Sequence, residues 1–189
     1  MLTLPNILTL VRIALLPCFA VCYHLPFARA PIAAAAIFGI AALTDWADGF
    51  LARRLNQTSR FGAFLDPVAD KLMVVVVLVI LLQAQPSLWL ALPVAVIIGR
   101  EIAVSALREW MAEIGARKKV AVSNLGKVKT VLQMSALILL IIGAADEINP
   151  LSARVIEWIG MTMLYVAMVM TLWSMVVYLV LAWPDLSES

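Results

Sequence analysis

The chain has 189 residues, of which 64% are apolar and 14% charged, and a formal net charge of +2. A soluble globular domain is nearer half apolar and a quarter charged. Together with a mean hydropathy of +1.01, this excludes an ordinary soluble protein and points to an integral membrane protein. No nucleic-acid partner is expected.

A spanning helix needs about 20 mostly apolar residues. Six spans are predicted, roughly 6–24, 31–52, 63–83, 87–110, 122–143 and 153–182. They leave no room for a soluble domain, so residues 1–189 are expected to form one membrane domain, all-α, with six transmembrane helices in a single bundle. The first span carries Asn6 and Arg12, too polar for a cleaved signal peptide. Cys18 and Cys22 lie one turn apart on it and read as apolar filler, because a disulfide between such positions has poor geometry. His24 ends the span and is expected in the headgroup layer.

The second span has an apolar run, Pro31–Leu43, of only 13 residues, about 20 Å of helix at 1.5 Å per residue. A hydrocarbon core is about 30 Å thick, so the helix must carry Asp45 and Asp48 into the membrane. The third span repeats the problem from its other end: Leu72–Leu82 is too short alone, so Asp66 and Asp70 are embedded too. Antiparallel neighbours joined by a short loop bring both acid pairs to one depth.

Spacings of i, i+3 and i, i+4 set each pair on one helix face. Four facing carboxylates would repel and take up protons unless cations hold them. Oxygen-only ligands suit a hard ion, Mg²⁺ or Mn²⁺, rather than zinc. The alternative is a salt-bridge cluster with Arg53 or Lys71, but two basic neighbours cannot neutralise four acids. An acid cluster inside a membrane marks a functional site by default.

The neighbours suit phosphate. Gly49, Ala52 and Gly62 keep the helix surfaces clear, and Arg53 and Ser59 are placed to serve phosphate oxygens. Carboxylates, divalent metal and arginine equip a site for phosphoryl transfer, in which two metals clamp a diphosphate.

Asp45-x2-Asp48-Gly49-x2-Ala52-Arg53-x8-Gly62-x3-Asp66-x3-Asp70 resembles, without departure, the signature of the CDP-alcohol phosphotransferases. The resemblance implies six transmembrane helices, a homodimer, a polar cavity open to the cytoplasm, and cleavage of a CDP-linked substrate with release of CMP. By position it implies metal binding by Asp45, Asp48, Asp66 and Asp70, with Asp70 also the general base. Asp48, Gly49, Ala52, Arg53, Ser59 and Gly62 would line the CDP-diacylglycerol site, and Asn6 and Thr9 would hold its cytidine or diphosphate end.

The fourth and fifth spans bear on the acceptor. "GREIAVSALREW" sets Arg100 and Arg108 two turns apart on one stripe, and "NLGKVKT" opens the fifth span with Lys127 and Lys129. If they converge they form a basic pocket, suited to an acceptor that carries a phosphate. The alternative pairs Arg100 with Asp70 or Glu101, and the lysines with lipid headgroups. "PNILTLVRI", "REIAVSALREW" and "GKVKT" closely resemble segments of the bacterial phosphatidylglycerophosphate synthases of that family. This implies glycerol 3-phosphate as acceptor, held by Arg100, Arg108, Lys127 and Lys129, and a bacterial inner-membrane setting. The sixth span reads as generic.

Basic residues cluster after the second span (Arg53, Arg54, Arg60) and after the fourth (Arg117, Lys118, Lys119). The positive-inside rule then puts both termini and the acid cluster on the cytoplasmic side of a multi-pass protein. Within the family, an inositol-phosphate acceptor is the nearest rival reading. From another class, four embedded acids could form a divalent-cation or proton pathway, but transport would spread acids through the membrane depth, and here they cluster at one end.

Overall fold

The computed structural model describes residues 4–55, 60–115, 124–145 and 149–187, without the side chains of 4, 5, 46–55, 60, 63, 124, 125, 127 and 185–187. They form six α-helices: α1 Leu4–Tyr23, α2 Ala30–Leu55, α3 Arg60–Ala84, α4 Leu88–Glu113, α5 Asn124–Gly143 and α6 Pro150–Ser187. The shortest has 20 residues, about 30 Å of helix, enough to match a hydrocarbon core. The chain is an all-α membrane protein, its helices gathered in one bundle as expected.

By length and composition, α1 (Asn6–Tyr23), α4 and α6 (Pro150–Pro184) are apolar enough to cross a membrane, whereas α2 and α5 hold shorter apolar stretches, Ala30–Asp45 and Val128–Gly143. Asp45 at the end of the α2 stretch, the Asp66–Asp70 segment of α3 and Lys129 of α5 contribute to the site described below.

Local signals set the ends. Ser87 caps α4, its Oγ accepting from the Leu90 N–H at 3.2 Å, which satisfies one of the orphan donors of a helix start. Gly115, at φ +77°, follows the last turn of α4, a left-handed position that glycine adopts without cost. Asn149 accepts from the Leu151 N–H at 2.9 Å and starts α6 three residues before its predicted onset.

Helix α1 packs on α2 and α3; α4 and α5 pack on α6; α2–α5, α3–α4 and α3–α5 contacts join the two groups, with α3 in the middle. Phe19, Phe38, Met73, Leu78, Ile97, Leu137 and Leu164, from all six helices, are fully buried between them. The outer faces stay apolar, with Val21, Leu43, Val79, Ile102, Val131 and Trp173 exposed, as suits helices solvated by lipid. Where lipid is the solvent, close packing rather than water exclusion holds helices together, and small residues permit it. Gly160 of α6 shows this: a Cβ there would come within 3.0 Å of Leu140 Cγ on α5. Cys18 is exposed, Cys22 half-buried, and both are free thiols. Trp89, Trp158 and Trp183 are exposed near helix ends, whereas Trp110 packs beside Met111 and Ala182.

Candidate active site

The buried face of α1 changes character along its length. Leu16, Phe19 and Tyr23 are apolar and buried, but the preceding positions of that stripe are Asn6, Thr9 and Arg12, all buried as well. Spacings of three or four residues keep them on one helix face. A buried arginine needs counter-charge, and α2 and α3 supply it. Arg12 Nη1 donates to Asp70 Oδ1 at 2.6 Å and lies 2.9 Å from Asp45 Oδ1. One turn earlier, the Thr9 hydroxyl donates to Asp66 Oδ1 at 2.6 Å. Three of the four aspartates singled out in the sequence therefore meet the first helix.

The remaining charge is gathered by α4, α5 and α6. Glu101 Oε1 accepts from Lys129 Nζ at 2.9 Å and from Arg100 Nη1 at 3.1 Å. Arg100 Nη2 also donates to the Ser174 hydroxyl. The Tyr178 ring faces two guanidinium groups, with the Arg100 and Arg108 Cζ atoms 5.8 and 5.9 Å from its centroid, within the range of cation–π attraction. Among the described residues, Arg108 has no carboxylate partner. Arg100, Arg108 and Lys129 line one cavity. The pairing of Arg100 with Glu101, entertained as an alternative, is present too, so the cluster is basic but partly neutralised.

Both clusters open into one cavity of about 310 Å³, whose wall includes Asp45 and Asp70 on one part and Arg100, Arg108, Lys129 and Tyr178 on another. That volume is at the lower end of small-molecule sites, about 300–1,000 Å³. Gln133, one turn beyond Lys129 on α5, is buried in this wall, and among the described residues its Oε1 has no hydrogen-bond partner.

Of the residues singled out in the sequence, Gly62 is buried on α3 and Asn6 on α1. Ser59 and the side chains of Asp48, Ala52, Arg53 and Lys127, with the Gly49 environment, lie outside the described residues. Arg12, Ser174 and Tyr178 are contributors that the sequence does not single out as site residues, and Glu101 enters there only as an alternative partner of Arg100. Arg12 carried a usable signal, an arginine inside an apolar span at i, i+3 from Thr9. Ser174 and Tyr178 correct the reading of the sixth helix as generic, because no charge marks them.

Among the described residues, no three ligating side chains converge on one point. Asp45 and Asp70 nevertheless both reach the Arg12 guanidinium, and the ligating atoms of Asp45, Asp66 and Asp70 are all oxygen. This fits a hard divalent cation, with Asp48 on the same helix as Asp45.

Comparison with known proteins supplies the context for this arrangement. Residues 2–183 match the family model of the CDP-alcohol phosphatidyltransferases. The chain is 55% identical to a protein of Pectobacterium atrosepticum over 98% of this chain and 97% of the other. It is 53% identical to one of Sodalis glossinidius over 99% and 98%, and 52% identical to one of Salmonella paratyphi A over 98% and 97%. All three are named CDP-diacylglycerol–glycerol-3-phosphate 3-phosphatidyltransferase. With the match to the family model and to these relatives running nearly end to end, the chain belongs to the CDP-alcohol phosphatidyltransferase family.

Proposed function

We propose that this protein transfers the phosphatidyl group of CDP-diacylglycerol to glycerol 3-phosphate, giving phosphatidylglycerol phosphate and CMP. One observation carries the reading: a single cavity joins Asp45 and Asp70 to Arg100, Arg108 and Lys129. The first pair suits the reacting diphosphate and hydroxyl, the second group an acceptor with its own phosphate. The names of relatives 52–55% identical support the same substrates.

In this reading the phosphate of glycerol 3-phosphate binds Arg100, Arg108, Lys127 and Lys129, taking over hydrogen bonds that Glu101 accepts in its absence. Charge-assisted bonds to phosphate are the strong ones, and arginine offers them in a fixed fork. The 1-hydroxyl then faces Asp70, which accepts its proton as the oxygen bonds to the lipid-side phosphorus. The bond from that phosphorus to CMP breaks, and CMP departs with the electron pair. Asn6, Thr9, Gly49, Ala52, Arg53, Ser59 and Gly62 line the CDP-diacylglycerol side. Two divalent ions, Mg²⁺ or Mn²⁺ on Asp45, Asp48, Asp66 and Asp70, would supply charge stabilisation for the diphosphate and the leaving oxygen. The acyl chains stay in the bilayer.

The setting is a homodimer, multi-pass in the bacterial inner membrane, with both termini and the cavity toward the cytoplasm; the basic loops after the second and fourth helices support that orientation. The deciding experiment gives the detergent-solubilised protein CDP-diacylglycerol with radiolabelled glycerol 3-phosphate or radiolabelled inositol phosphate. Labelled lipid is expected from glycerol 3-phosphate only, and CMP release that requires added divalent metal. No lipid product from glycerol 3-phosphate overturns the assignment.

A further inference from the structure

Arg12 has a side chain with 0% exposure, and one of its nitrogens lies within hydrogen-bond distance of carboxylates from two different helices, Asp45 on α2 and Asp70 on α3. Nothing in the proposed transfer chemistry requires a buried guanidinium there. A divalent ion bound to those two residues would perform the same electrostatic task, holding two like charges together at the edge of a membrane. A guanidinium and a dication cannot both do so at full strength, because like charges at contact distance repel strongly where water is scarce.

We infer that Arg12 is a built-in counter-cation that stands in for the divalent ion, joining Asp45 and Asp70 when the ion is absent and yielding part of its hold when the ion binds. The inference rests on the divalent-ion reading of the acid cluster. Each carboxylate has two oxygens and about four lone pairs, so the exchange needs no large movement: one oxygen keeps the arginine while the other turns to the ion. Two consequences are opposite in sign. The ion-free protein is stabilised by Arg12, and ion binding is weakened by it.

The test is a pair of melting curves on purified protein in detergent, with a chelator or with excess Mn²⁺, for the wild type and Arg12→Gln. The wild type is expected to gain stability with Mn²⁺. Arg12→Gln should melt lower than wild type in chelator and gain more from Mn²⁺, by about 5 °C or more, since removing one partner of a buried ion pair leaves the other charges uncompensated. Half-saturation with Mn²⁺ should fall to lower concentration in the variant. A stabilisation by Mn²⁺ equal to or smaller than that of the wild type overturns the role of Arg12 while leaving the metal reading intact. No Mn²⁺ effect on either protein overturns both. If Arg12→Gln folds only with Mn²⁺ present, the metal has replaced the arginine and the inference is supported. If it folds in neither buffer, Arg12→Lys decides: its strongly hydrated ammonium sits on a shorter, more flexible stem and holds the two carboxylates less well, so its gain should still exceed that of the wild type, and a gain no larger overturns the inference.

Discussion

Lys129 Nζ donates to Glu101 Oε1 at 2.9 Å, tying α5 to α4, and Arg100 Nη1 shares that same oxygen at 3.1 Å. One carboxylate thus occupies two cations on the cavity wall. An incoming phosphate would compete with Glu101 for them. Lys129→Ala is therefore expected to raise KM for glycerol 3-phosphate by about 10-fold or more, in line with a lost hydrogen bond to a charged group. KM for CDP-diacylglycerol should change by less than about 2-fold. Steady-state kinetics with each substrate varied in turn checks this, and equal effects on both constants would argue against a separate acceptor site.

Glu101→Gln tests the same relationship from the other side. It removes the internal anion, so added inorganic phosphate should raise the melting temperature of the variant more than that of the wild type. An equal response in the two proteins would mean that Glu101 and phosphate do not share partners.

Asp70→Asn keeps the shape of the side chain at the junction of α1 and α3 but cannot accept the acceptor's proton. Turnover should fall by about 10²–10⁴-fold, the usual contribution of a positioned base, while CDP-diacylglycerol binding is largely kept. Equilibrium binding of labelled CDP-diacylglycerol beside CMP release measures both, and full activity in the variant would remove Asp70 from the base role.

Tyr178 presents its ring to both Arg100 and Arg108. Tyr178→Phe keeps the aromatic face and should leave KM for glycerol 3-phosphate within about 2-fold of wild type, whereas Tyr178→Leu should raise it by about 3- to 10-fold, the scale of a partly desolvated cation–π pair. Similar constants for the two variants would mean that the ring does not align the guanidiniums.

At Gly160 an added Cβ would lie 3.0 Å from Leu140 Cγ on α5 and 3.3 Å from the Ala136 carbonyl oxygen, so a branched side chain must push α5 away. Gly160→Val should destabilise by about 1–3 kcal/mol, the usual cost of overpacking. Gly39, where a Cβ meets nothing within 4 Å, should accept Ala with little change. Melting curves of both variants in one detergent make the comparison.

The helices were legible because apolar runs of membrane length are a strong signal. Their ends were less so: α2 runs to Leu55 and α6 to Ser187, past the predicted limits, since amphipathic ends continue a helix without continuing the apolar run. Asp45, Asp66 and Asp70 were legible because an acid inside an apolar span has few explanations. Arg53 and Lys71, the near neighbours in sequence, are too few to neutralise four acids, which leaves divalent cations as the counter-charge the sequence suggests. In the structure Arg12 meets Asp70, 58 positions away, a pairing set by the parallel packing of α1 on α3, in which Thr9 meets Asp66 one turn earlier, and invisible to local spacing. Ser174 and Tyr178 were missed for another reason. A serine and a tyrosine on a lipid-spanning helix read as ordinary until the arginines facing them are in place.

The Arg12 contacts also bear on how the protein is made. The first helix leaves the ribosome before Asp45 and Asp70 are synthesised, since both carboxylates belong to later helices. An arginine at mid-helix costs about 2.5–3.5 kcal/mol on insertion scales, so α1 inserts less favourably until α2 and α3 arrive. Burial of Arg12 must therefore follow synthesis of Asp70, and that couples completion of the acid cluster to membrane integration of the first three helices as one unit.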